Sequence, residues 1–128
     1  MNPIILITVL ALVQFTFFGA LVAKARSSEG VAAPSTQGTA AFERLNRVHM
    51  NTLERLALFL PLLWLAAQFW NPLWVSMAGV VFLVGRMLYW KGYVKSPADR
   101  TLGNIVTMLS IASLLLATLA GLVKSMLA

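Results

Sequence analysis

The sequence contains no cysteine, one histidine and four acidic side chains among 128 residues. Without cysteine, disulfides, thiolate metal sites and a protein thiol nucleophile are excluded together, so any thiol chemistry must use a thiol brought by a substrate. His49 has no second histidine and no carboxylate cluster at ligand spacing beside it, so no metal site is expected. It reads as a packing or interface residue and not as a general base. Charge of either sign is scarce, 11% against 59% hydrophobic residues, which lies outside the soluble globular range and within the membrane class. The formal net charge of +6 suggests nucleic acid at first sight. The basic residues are instead spread over helix ends and short connections, with no contiguous strip to follow a phosphate backbone, so no nucleic-acid partner is expected.

What the chain does have is long uncharged segments. Residues 1–23, 56–85 and 101–123 carry no formally charged side chain, and each meets the roughly 20 residues that cross a bilayer as helix. Joining the less apolar 40–55 to the second run gives an all-α integral membrane protein, a four-helix up-down bundle forming one membrane domain over 1–128. The expected helices cover about 3–25, 40–69, 72–94 and 97–125. A cleaved signal peptide is the weaker reading of the N-terminus, because no Lys or Arg precedes the apolar run. Residues 27–39, rich in Ser, Gly, Ala, Pro and Thr, read as an exposed connection. Thr39 is a candidate cap for the second helix. Asn71-Pro72 supplies a cap and a first-turn proline for the third, and Ser96-Pro97-Ala98-Asp99 resembles a capping box for the fourth.

Basic residues mark one side of this bundle. Lys24, Arg26, Arg44, Arg47, Lys91, Lys95 and Arg100 flank the first and third connections, whereas the turn at 69–72 is uncharged and only Lys124 lies near the opposite end. The positive-inside bias then places both basic connections in the cytoplasm and both termini outside.

Some polar residues lie deeper. Arg47, Arg55, Arg86 and Arg100, with Asn51 and Glu54, sit in or beside spanning segments, where a charge costs roughly 2.5–3.5 kcal/mol even on insertion scales. Glu43, Arg47, Asn51 and Glu54 recur at spacings of four, four and three, which puts them on one helical face. An internal network is one account: Glu43 with Arg47, and Glu54 with Arg47 or Arg86. The surplus of arginine over acid favours a second account, a small acidic ligand bound near one interface. Arg86, Tyr89 or Trp90, and Tyr93 form another face, with Trp90 read as a membrane-belt residue. Arg100 opposes the dipole of the helix it begins, so local electrostatics do not explain it; an anion to face, or snorkelling to headgroups, would. Gly79, Gly85 and Gly103 are candidates for close helix approach.

Two segments together resemble a known family. Phe42-Glu43-Arg44-Leu45-Asn46-Arg47-Val48-His49-Met50-Asn51-Thr52-Leu53-Glu54, and then Arg86-Met87-Leu88-Tyr89-Trp90-Lys91-Gly92-Tyr93 followed by Ser96 and Arg100, are similar to the helix-two and helix-three signatures of the membrane-associated proteins in eicosanoid and glutathione metabolism. The resemblance covers most of the chain from about residue 40 onward. It implies glutathione as co-substrate, held by Arg47, Asn51 and Glu54, with Tyr89, Tyr93 and Arg86 in the same polar lining and Arg100 near the sulfur as the catalytic residue. It also implies a homotrimer with sites between subunits, a membrane-lipid environment and a small hydrophobic electrophile as the other partner. Lys24 or Arg26 loosely resembles a basic helix-one end of some members. Arg55 departs from the pattern, standing where a glutathione-using member has a tyrosine. A non-enzymatic ligand-binding protein of the same fold and, less strongly, a small transporter component are the alternatives.

Overall fold

The computed structural model describes residues 2–128. Four helices account for nearly all of them: α1 (Asn2–Glu29), α2 (Ala40–Phe69), α3 (Pro72–Lys95) and α4 (Thr101–Leu127), with a single 3-10 turn (Pro97–Arg100) ahead of α4. All four are long and apolar enough to cross a membrane. The result is an all-α bundle of spanning helices. Side-chain contacts give the up-down course. Arg44 at the start of α2 reaches the end of α3, while Trp70 after α2 meets Ala117 and Lys124 late in α4.

The core is narrow because each helix is apolar on nearly every face and buries only one stripe. On α1 that stripe is Ile4, Ile7, Ala11, Phe18, Val22 and Ala25, steps of three, four or seven residues that keep one line toward the neighbours. Leu56, Phe59 and Leu63 of α2 meet Phe82 of α3 and Leu114 of α4. The Phe59 and Phe82 rings stack with centroids 3.8 Å apart and planes 8° from parallel. Large apolar side chains such as Val13, Trp74, Leu116 and Leu119 point outward, as suits a protein whose solvent on that face is hydrocarbon.

Polar side chains within the spans find internal partners. Thr8 Oγ1 donates to Ile4 O at 2.8 Å and accepts from Trp64 Nε1 at 3.0 Å; Gln14 Nε2 donates to Leu83 O at 2.9 Å; Ser110 Oγ donates to Ala78 O at 2.6 Å. Lipid offers no alternative partner, so such bonds tie α1 to α2 and α3, and α3 to α4.

The helix ends explain where the site falls. Thr39 caps α2, its Oγ1 accepting from Phe42 N at 3.2 Å, and Asn71 Oδ1 caps α3, accepting from Leu73 N at 2.9 Å. Helix α1 continues to Glu29, past the end expected near residue 25, because a stop signal comes only with Gly30, whose φ of 68° suits glycine. Val31 N then donates to Arg26 O at 3.0 Å, closing the turn in the Schellman manner. The connection that follows folds back on the bundle. Arg26 donates to Ser35 O at 2.8 Å and lies 4.9 Å from the Phe42 ring centroid, while the Thr39 hydroxyl donates to the Glu29 carboxylate.

Ser96 does not cap α4. A 3-10 turn intervenes, and its own backbone bond, Asp99 N to Ser96 O at 2.9 Å, satisfies the amide that a capping serine side chain would have taken. Arg100 therefore stands at the end of this turn and not on the first or second turn of the long helix. Gly92 makes the turn feasible: a Cβ there would overlap the Asp99 carbonyl.

Candidate functional site

Helices α2 and α3, and the 3-10 turn with the start of α4, present polar side chains a single turn apart to a common cleft at the basic end of the bundle. Helix α2 contributes Asn51 and Arg55, with Arg47 one turn before them. Helix α3 contributes Tyr89 and Tyr93, and the α4 side contributes Arg100 and Asn104. The cleft holds about 300 Å³. Its lining includes three guanidinium groups and no carboxylate. Such a cavity favours a multiply charged anion.

Close approach of α3 and α4 creates the back wall. A Cβ on Gly103 would overlap the backbone N and Cα of Tyr89, and one on Gly85 would lie 2.7 Å from the backbone N and the hydroxyl of Thr107. These two glycines let the tyrosine-bearing face of α3 sit directly on α4.

The only ion pair among the described residues joins Arg47 and Glu54 at 3.3 Å, with both side chains at least half exposed. An exposed pair of this kind contributes about 0–1 kcal/mol, so Arg47 can exchange Glu54 for a ligand carboxylate at little cost. Glu43 makes no ion pair among the described residues. Arg44 donates to Val94 O at 3.2 Å and to Lys95 O at 3.4 Å. That bond places a cation on the carbonyl end of α3, a structural use for one member of the basic face.

Arg86 is the most deeply placed charge, with 0% exposure. Its Nε donates to Thr107 Oγ1 at 3.0 Å, and its Nη1 donates to Asn51 Oδ1 at 2.7 Å and to Thr52 Oγ1 at 3.3 Å. The guanidinium carbon also lies 4.4 Å from the Tyr89 ring centroid. It thus sits beneath the cleft, holding Asn51 and Tyr89, and is not one of the lining side chains. It pairs with neither Glu54 nor any other acid among the described residues.

Of the sequence-derived site residues, the structure gathers Arg47, Asn51, Tyr89, Tyr93 and Arg100 around one cavity. Glu54 stands outside that lining, bound to Arg47. The choice between Tyr89 and Trp90 goes to Tyr89, because Trp90 packs on Phe17 at 5.2 Å and Phe18 at 5.9 Å in the α1 interface. His49 stacks on Phe15 at 4.5 Å, a packing role. Two lining residues were not given a site role from the sequence. Arg55, counted among the deep arginines and noted as a departure from the family pattern, donates to Asn104 Oδ1 at 3.4 Å and completes the α2–α4 side. Asn104 follows Arg100 by one helical turn inside an otherwise uncharged run, and that spacing was the signal available for it.

Comparison with known proteins agrees with this architecture. The sequence profile of the MAPEG family matches residues 4–120. The chain is 41% identical over 118 residues to an uncharacterised protein of Synechocystis sp., covering 89% of this chain and 86% of that one. It is 34% identical over 122 residues to human microsomal glutathione S-transferase 2, covering 94% and 81% of the two chains. Against bovine leukotriene C4 synthase it is 34% identical over 94 residues, 73% of this chain and 63% of the other. With the bundle, the arginine-rich cleft and a profile match over most of its length, the chain belongs to the MAPEG family, the membrane-associated proteins in eicosanoid and glutathione metabolism.

Proposed function

We propose that the protein is a glutathione-dependent membrane transferase, or peroxidase, that activates the glutathione thiol for attack on a lipophilic electrophile. The observation that carries this reading is the cleft whose lining has three guanidinium groups and no carboxylate. Glutathione brings two carboxylates, an ammonium and a thiol, and its demands match the side chains around the cavity. Arg47 would receive a carboxylate through its planar donor fork, Asn51 would donate to an amide or carboxylate oxygen, and Tyr89 and Tyr93 would add hydroxyl contacts. Glu54, at the rim, would take the ammonium. Arg100 would stand near the sulfur and favour the thiolate, the attacking species. The electrophile would reach the site through lipid, past the apolar exterior of the helices.

The family membership supports a homotrimer in which neighbouring subunits complete each site, and the charge bias of the connections supports a cytoplasmic opening. Both are part of the proposal.

Titration of the purified protein with glutathione, followed by ultraviolet difference spectroscopy for thiolate and then by addition of a generic electrophile, tests the reading. Thiolate formation and conjugate are expected. Binding of a lipid with no thiolate would favour a non-enzymatic ligand-binding role, and anion flux in liposomes with no conjugate would favour a transporter component. Arg47→Ala is expected to raise the glutathione dissociation constant roughly 10- to 100-fold, the effect of losing a charge-assisted contact. An unchanged affinity by calorimetry removes Arg47 from carboxylate recognition.

A further inference from the structure

We propose that Arg86 is a positioning residue that locks the Asn51 carboxamide with its NH2 toward the cleft, so that this position pairs only with a hydrogen-bond acceptor on the ligand. That the ligand is glutathione rests on the function proposed above; the locking itself does not.

A guanidinium group has donors and no acceptor. The Asn51 atom 2.7 Å from Arg86 Nη1 is therefore its oxygen, which leaves the NH2 as the group Asn51 offers to the cavity it lines. The neighbours of Arg86 share this polarity. Thr52 Oγ1 donates its proton to Val48 O at 2.7 Å, and Thr107 Oγ1 donates to Gly103 O at 2.8 Å. Each hydroxyl proton is committed to a carbonyl one turn back, and each hydroxyl oxygen is turned to Arg86. Rotating the Asn51 amide by half a turn would set NH2 against guanidinium and break the shortest of these bonds. The orientation is thus held by chemistry on every side.

The arrangement is costly for a merely structural residue. Arg86 has 0% exposure, no acid partner among the described residues and an Nη2 without a hydrogen bond. An apolar side chain of similar volume would fill such a space at less expense. What an apolar residue could not do is fix the polarity of Asn51 and place a positive charge beneath an anion site. Across the cleft, Asn104 Oδ1 is likewise taken by Arg55 Nη2, so the second carboxamide is polarised the same way. The walls then offer donors and ask the ligand for acceptors.

Asn51→Asp separates folding from recognition. The new carboxylate meets Arg86 where Asn51 Oδ1 does, so the full-length protein in detergent is expected to melt at or above the wild-type temperature. Its glutathione dissociation constant, measured by equilibrium dialysis, is expected to rise roughly 30-fold or more, because a donor has become an anion. Affinity within about threefold of wild type would overturn the proposal. So would a melting temperature lowered by more than about 5 °C, since Arg86 would then not be the partner of residue 51. Arg86→Lys, still a pure donor, is expected to hold the KM for glutathione within about fivefold, while Arg86→Gln, free to turn its own oxygen toward Asn51, raises it roughly tenfold with kcat changed less. Equal KM values for the two variants would also defeat it. Failure of the wild-type chain to bind glutathione would count against the proposed function alone, and the melting temperature of Asn51→Asp would still decide the locking.

Discussion

Replacing Arg100 by alanine is expected to leave glutathione bound, with affinity changed by less than about fivefold, while conjugation at neutral pH falls roughly 8- to 25-fold. A thiol with a pKa near about 8.5 is mostly protonated at pH 7, and each pKa unit of stabilisation corresponds to about 1.4 kcal/mol. A guanidinium beside the sulfur would supply one to two such units (roughly the span of rates given). The side chain lies at the cleft. Its Nη1 donates to Pro97 O at 2.6 Å and its guanidinium carbon lies 5.7 Å from the Tyr93 ring centroid, so the 3-10 turn and a cleft tyrosine hold the cation at the cavity wall. No acid among the described residues neutralises it. The sign of the pH dependence follows. As pH rises through the thiol's own pKa, solution chemistry supplies the thiolate, and the deficit of Arg100→Ala should shrink. A thiolate difference spectrum identical to that of the wild type would remove Arg100 from sulfur activation.

Gly103→Val should be the most damaging single change to the fold, lowering stability by about 3 kcal/mol or more. The atoms that a Cβ on Gly103 would strike belong to the Tyr89 and Leu88 backbone, so no change of rotamer can relieve the overlap and the two helices must separate. Separation has a functional cost as well. Tyr89 leaves the cleft wall, and Thr107, one turn along α4, draws away from Arg86. Gly19 provides the contrast, because a Cβ there meets only the His49 ring at 3.1 Å, a side chain that can turn. Thermal unfolding in detergent, read beside glutathione binding, should show Gly103→Val losing both and Gly19→Ala losing little. A wild-type melting temperature for Gly103→Val would show that α3 and α4 do not pack as described.

The residues that line the cleft were partly visible as a pattern and partly not. Arg47 and Asn51 stood out because polar groups at one-turn spacing in an apolar segment need a reason, and the paired tyrosines stood out beside the second motif. Arg86 was recognised as part of the same group, but not as the residue under it. Depth cannot be read from a helix whose flanking positions are all apolar. Arg44 was read only as one of the residues marking the basic end, and the structure gives it a use of its own: it binds the end of α3, whereas Arg47 opens on the cavity. Ser96 carried the letters of a cap, and a 3-10 turn took its place.

The sequence by itself determined that the chain forms spanning helices, where most of them begin and end, and which end of the bundle is basic. Lipid enforces those features one segment at a time, by requiring internal hydrogen bonds, a minimum apolar length and charges kept near the ends. Only the tertiary structure decided how each helix is rotated about its axis, and with that which arginine lines the cavity, which lies beneath it and which amide atom of Asn51 meets Arg86. Hydrocarbon accepts every apolar face equally, so rotation is settled by close contacts such as Gly103 on Tyr89 and by the polar groups that can find partners only in one another.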